Sequence, residues 1–181
     1  ISGSLPSGVT FNSGTRVLSG TPAAGTGGTW PVTFTAANGT QPDATQNFTL
    51  TVARLNQTIS FVAPPTQSFT LTPYNLTASA TSGLAVTFAS NTPAVCQASG
   101  TTVLFQSAGT CSIVASQIGN GSYNAAPTVT QSFAVTAVLP GTPSIVSTTP
   151  GNGQVILGFS APTSNGGSTI TSYTATCNPG G

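Results

Sequence analysis

Three cysteines are the residues of this chain whose chemistry depends on where they sit. Cys96 and Cys111 lie close together inside one β-rich stretch, and Cys177 stands apart from them. The first two are read as a disulfide, which places the chain in an oxidising compartment; two buried reduced thiols are the alternative. Cys177, left over, calls for a partner outside these residues. Beyond sulfur there is little to react. The sequence holds one acid, Asp43, two arginines, Arg16 and Arg54, and no His; Lys and Glu are absent as well. General acid–base catalysis requires a titratable group near the working pH, and a Ser or Thr hydroxyl without a base is inert. No catalytic residue is therefore assigned. Zinc asks for clustered Cys, His or acid ligands, and calcium for several carboxylates; neither set exists, so no metal ligand and no cofactor is assigned. Gly25-Thr26-Gly27-Gly28 lacks the Lys of a phosphate-binding loop and reads as a turn.

The elements that position these residues are strands. Apolar and polar side chains alternate in Val32-Thr33-Phe34-Thr35-Ala36, Phe48-Thr49-Leu50-Thr51-Val52 and Leu76-Thr77-Ala78-Ser79-Ala80. The same period runs through Val86-Thr87-Phe88, Val103 and Phe105, Cys111, Ile113 and Ala115, Phe133-Ala134-Val135, Val155 to Phe159, and Tyr173 to Cys177. A period of two marks half-buried strands of antiparallel sheets. Asn38-Gly39, Ser82-Gly83, Ser99-Gly100, Asn152-Gly153 and Asn165-Gly166-Gly167 supply turn signals between them. Helix is disfavoured, because Glu, Lys and Met are missing and Thr, Val and Phe suit a pleated surface. With 38% hydrophobic residues and a net charge of +1, the composition is not that of a disordered chain.

Charge excludes further classes. Charged residues make up 2% of the sequence, against roughly 25% in an ordinary soluble protein. Two isolated arginines provide no phosphate-binding surface, so nucleic acid is not a partner. No apolar run is long enough for a membrane helix. Sheet edges normally carry Lys to prevent edge-to-edge pairing, and near-zero net charge favours association. Much of the surface is therefore expected to be covered by neighbouring modules or subunits, or by glycan. Five Asn-X-Ser/Thr sequons, at Asn38, Asn47, Asn56, Asn75 and Asn120, read as structural turn residues in so Thr-rich a chain. Among the aromatic residues, Trp30 and Tyr173 are expected in the core, and Tyr123 beside a turn to which it bonds back. Tyr74, after Pro73 in a loop, is the exposed candidate for a ligand contact.

Three stretches carry family resemblances. Leu5-Pro6-Ser7-Gly8-Val9-Thr10-Phe11, Leu18-Ser19-Gly20-Thr21-Pro22 and Phe48-Thr49-Leu50-Thr51-Val52 resemble the Ig-like repeats of bacterial surface proteins. Gln57-Thr58-Ile59-Ser60-Phe61, Thr92-Pro93-Ala94-Val95-Cys96, Ala108-Gly109-Thr110-Cys111 and Gln131 to Thr136 resemble a second bacterial Ig-like repeat, which implies a within-module disulfide at the two cysteines. Pro143-Ser144-Ile145, Gly153-Gln154-Val155, Phe159-Ser160-Ala161-Pro162 and Ile170 to Cys177 are similar to the first half of a fibronectin type III module. The resemblances imply an all-β fold of tandem Ig-like and fibronectin type III-like antiparallel β-sandwiches. The divisions are 1–54, a partial Ig-like module without its opening strands; 55–138, a complete sandwich; and 139–181, half of a fibronectin type III-like module. The partial modules would be completed by the same chain or by strands of a neighbouring subunit. The role expected is that of a non-catalytic extracellular repeat in a bacterial surface filament or adhesin stalk, with self-association or adjacent modules as partners. A glycan- or protein-binding adhesion module, or an accessory region of a secreted polysaccharide-degrading enzyme, are the alternatives.

Overall fold

The computed structural model describes residues 1–176. The described residues form sixteen strands and no helix. In chain order these are β1 (Ser2–Gly3), β2 (Val9–Asn12), β3 (Val17–Gly20), β4 (Gly28–Ala36), β5 (Ala44–Val52), β6 (Ile59–Ser60), β7 (Gln67–Ser68) and β8 (Tyr74–Asn75). There follow β9 (Ser79–Ala80), β10 (Thr87–Ser90), β11 (Cys96–Ser99), β12 (Thr102–Phe105), β13 (Gly109–Ser116), β14 (Val129–Thr136), β15 (Ser144–Gly151) and β16 (Gln154–Ser160). They gather into two compact units. The middle of the sequence contributes to both.

The first unit comprises Ile1–Ser60, Ser79–Ala85 and Ser116–Pro127. Its sheet runs β1-β4-β5, with a separate β2–β3 hairpin and a β6–β9 pair. The β4–β5 hairpin keeps register over nine pairs, from Gly28 opposite Val52 to Ala36 opposite Ala44. Alternation here yields a thin core. Val32 is buried, and Phe34 packs edge-on to Phe11 at 5.4 Å. The Asn38-Gly39 signal does not make a two-residue hairpin. Residues 37–43 form a longer loop, which includes a cis Gln41–Pro42 bond.

The second unit comprises Phe61–Ala78, Val86–Ala115 and the described residues of Thr128–Gly181. Two of its sheets, β10-β13-β14-β7 and β11-β12-β8, make a sandwich. Burial along β13 alternates, with Cys111, Ile113 and Ala115 inward at 0% exposure, because one face meets the other sheet. Phe105 of β12 and Phe133 of β14 meet between the layers, edge to face at 6.1 Å. This is the dense apolar filling that stabilises aligned sheets. β11 pairs with β12, β12 with β8, and β13 with β14, all antiparallel, whereas β14 and β7 run parallel. A further antiparallel hairpin, β15–β16, turns at Asn152-Gly153 between the pair Gly151 and Gln154.

Two alternating runs depart from the expected strands. In Leu76 to Ala80 only Ser79 and Ala80 are in a strand, although Leu76 is buried. From Tyr173 to Thr176 there is no strand. Alternation selects a face, but a strand also needs a neighbour to take its N–H and C=O groups, and Tyr173 to Thr176 pair with none of the described strands.

Candidate functional site

The two cysteines among the described residues are bonded to each other, and the charged side chains lie apart from them. Cys96 lies on β11 and Cys111 on β13, so the bond between them joins the two sheets of the sandwich. The sulfurs are 2.00 Å apart and both residues are fully buried. Alternation on β13 aims Cys111 inward, and the pairing of Cys96 opposite Phe105 puts its partner at the same depth. The Oγ atoms of Ser90 and Thr92 lie 3.5 and 3.6 Å from Cys96 Sγ, so hydroxyls line one side of the bond. Thr92 also receives the N–H of Ser112 on its Oγ1 at 2.9 Å, which holds the 92 loop against β13. Cys177 lies outside the described residues.

The ionisable groups are isolated. Asp43 is half-buried in the loop between β4 and β5 and accepts a hydrogen bond from Gln41 Nε2 at 3.0 Å. Arg54 donates to the carbonyl of Gly27 from Nε at 3.4 Å and from Nη2 at 3.3 Å. Arg16 occupies the turn between β2 and β3 with φ of 60°, a left-handed conformation that costs a non-glycine residue energy. Among the described residues, no three His, Cys, Asp or Glu side chains gather as a metal site would require.

Tyr74 differs from its expected setting. It lies in strand β8, not in a loop, and is half-buried. Its ring stacks on Phe105 at 6.4 Å and faces Phe133 at 6.3 Å. The adjacent hollow, lined by Phe61, Pro64, Pro65 and Tyr74 among others, has a volume of about 190 Å³, below the roughly 300–1,000 Å³ of ligand pockets. Trp30 is half-buried, with its indole N–H donated to the carbonyl of Thr26 at 3.0 Å. Tyr173 is not in a core. It is 45% exposed and touches Phe159 with ring centroids 4.9 Å apart, because among the described residues no second sheet covers that face. Beside Tyr123 the turn contact is made by the backbone, whose N–H reaches Asn120 Oδ1 at 3.0 Å.

One arrangement has no counterpart in the sequence-based expectations. Gln57 and Gln117 are both buried in the first unit. Gln57 Nε2 donates to Gln117 Oε1 at 2.8 Å and to the carbonyl of Asn124 at 2.7 Å, and Gln57 Oε1 accepts from Ser82 Oγ at 2.5 Å. Gln117 Oε1 also accepts the N–H of Gly119. Among the described residues no buried side-chain nitrogen or oxygen lacks a partner. Such a closed network fixes three chain segments without charge. The signal in sequence is weak: Gln57 precedes an alternating run and Gln117 follows one, and nothing marks them as a pair.

A second unforeseen feature is an apolar groove of about 340 Å³ lined by Pro143, Ile145, Leu157, Phe159 and Tyr173 among others. Ile145, Val155 and Ile156 are each at least 60% exposed. The hairpin that bears them resembles a sandwich strand pair without its facing sheet.

No curated protein matches the chain significantly. Residues 1–53 match the He_PIG family model, described as "Putative Ig domain", and this stretch, all strand and loop, is accordingly similar to an Ig-like module.

Proposed function

We propose that the chain is a non-catalytic extracellular structural segment, a run of repeats from a bacterial surface filament or adhesin stalk. The observation that carries this reading is the buried Cys96–Cys111 bond between the two sheets of the sandwich. A cross-link there resists shearing of one sheet over the other, and it requires an oxidising setting. The Ig-like match over residues 1–53 and the near absence of ionisable side chains support it. In this reading the modules are 1–54, 55–138 and 139–181, the last being of fibronectin type III type, and their partners are adjacent modules or identical subunits.

Electron microscopy of native surface material tests the proposal. Regular filaments, or long beaded threads with a module-sized repeat, are the expected result. Isolated compact particles that bind a sugar array would instead favour a glycan-binding adhesion module. Recovery of the segment attached to a polysaccharide-degrading catalytic domain would make it an accessory region of a secreted enzyme.

A further inference from the structure

Four Asn-Gly pairs occur in the described residues, at Asn38, Asn120, Asn152 and Asn165. An Asn side chain followed by Gly can close on its own backbone. The backbone nitrogen of the Gly attacks the Asn Cγ, a C–N bond forms, and the Nδ2 amide leaves as ammonia. Water then opens the five-membered imide at either carbonyl, yielding Asp or isoaspartate. No catalyst and no oxidant are needed, so the rate depends on whether the peptide between the two residues can rotate into the closing geometry.

The structure holds these four peptides very differently. Asn120 Oδ1 accepts the N–H groups of both Ser122, at 2.8 Å, and Tyr123, at 3.0 Å. The carbonyl of Gly121 accepts from Gly27 N at 2.7 Å, and a Cβ on Gly121 would lie 2.1 Å from the carbonyl oxygen of Gly25. At Asn165 the attacking nitrogen is itself engaged: Gly166 N–H donates to Ser164 Oγ at 3.2 Å. Asn165 Oδ1 takes the Gly167 N–H at 2.9 Å, and Gly166 and Gly167 are both buried.

The other two are loose. Asn152 and Gly153 are exposed, and nothing lies within 4 Å of a Cβ placed on Gly153. No side-chain hydrogen bond holds Asn152 among the described residues. Asn38 and Gly39 are also exposed, Gly39 has the same open surroundings, and a single contact, Thr40 N–H to Asn38 Oδ1 at 3.1 Å, restrains the side chain.

We propose that Asn38 and Asn152 are sites of spontaneous deamidation in the folded protein, whereas the fold protects Asn120 and Asn165. The modification matters more here than in an ordinary protein. The sequence has one carboxylate side chain and a formal net charge of +1, so two conversions reverse the sign of the net charge. One new carboxylate arises in the loop that carries Asp43, and the other in the turn of the β15–β16 hairpin, where isoaspartate also lengthens the backbone.

Incubation of the purified folded chain in mildly alkaline buffer tests this, with isoelectric focusing and peptide mapping that resolves Asn, Asp and isoaspartate at each site. Asn38 and Asn152 are expected to convert more than about tenfold faster than Asn120 and Asn165, the ratio set by the contacts that must open first. In denaturant the four rates should converge. N38Q and N152Q together should remove the early acidic isoforms, because Gln closes a larger ring more slowly. Conversion of Asn120 or Asn165 at the pace of the other two in the folded chain would overturn the proposal. So would a ranking that persists in denaturant, or a folded chain inert at all four sites while the unfolded one reacts.

Discussion

The antiparallel pairs β13–β14 and β15–β16 are of similar length and meet opposite fates. Both place apolar side chains on paired strands, and β13, β14 and β15 are each eight residues long. Along β13 the inward residues reach 0% exposure, whereas every residue of β15 is exposed. The difference is the second sheet. β13 and β14 are covered by β11 and β12, with Phe105 between the layers, and among the described residues no sheet covers the apolar groove between Ile145, Leu157 and Phe159. Periodicity specifies a face, and only a facing layer turns that face into stability.

Substitutions can break that comparison in graded steps. Phe105→Ala should have the largest effect, a loss of about 4 kcal/mol in denaturant unfolding, since it empties the space between the layers. Replacing Cys96 and Cys111 together by Ala should cost about 3 kcal/mol, because the cross-link closes a loop in the unfolded chain; unfolding under reducing conditions should give the wild type a similar loss. Gly167→Ala comes next, at about 2 kcal/mol. Gly167 has φ of +83°, and a Cβ there would lie 2.6 Å from the Phe69 ring. Ile156→Thr on the open hairpin should change stability by less than about 0.5 kcal/mol. A large loss at Ile156 would show that this hairpin has a covering partner in solution, and the contrast would disappear.

Much of the fold was legible in the sequence. The runs at Val32, Phe48, Val103, Cys111, Phe133 and Val155 all lie in strands, because each places β-branched or aromatic residues on one side of a pleat. The Cys96–Cys111 bond was legible from its setting, and the structure contains it. What escaped is what depends on the partner across space. Tyr173 carries the same alternation as Phe133, yet one is 45% exposed and the other 6%. Tyr74 looked like a loop aromatic, but pairing of β8 with β12 brings its ring onto Phe105. The Gln57–Gln117 contact spans 60 residues, and two neutral amides carry no charge or spacing pattern that would announce it.

The bond between Cys96 and Cys111 also bears on how far the chain can be drawn out. The cysteines are 15 residues apart in sequence, and an extended chain reaches roughly 3.4 Å per residue, so the bond withholds on the order of 50 Å of contour length. When the chain is pulled from its ends, that loop stays closed and the chain beyond it takes the extension. Reduction releases it, and the ruptured segment becomes longer by that amount. The thiol state of the surroundings would then set how much slack the segment yields under tension.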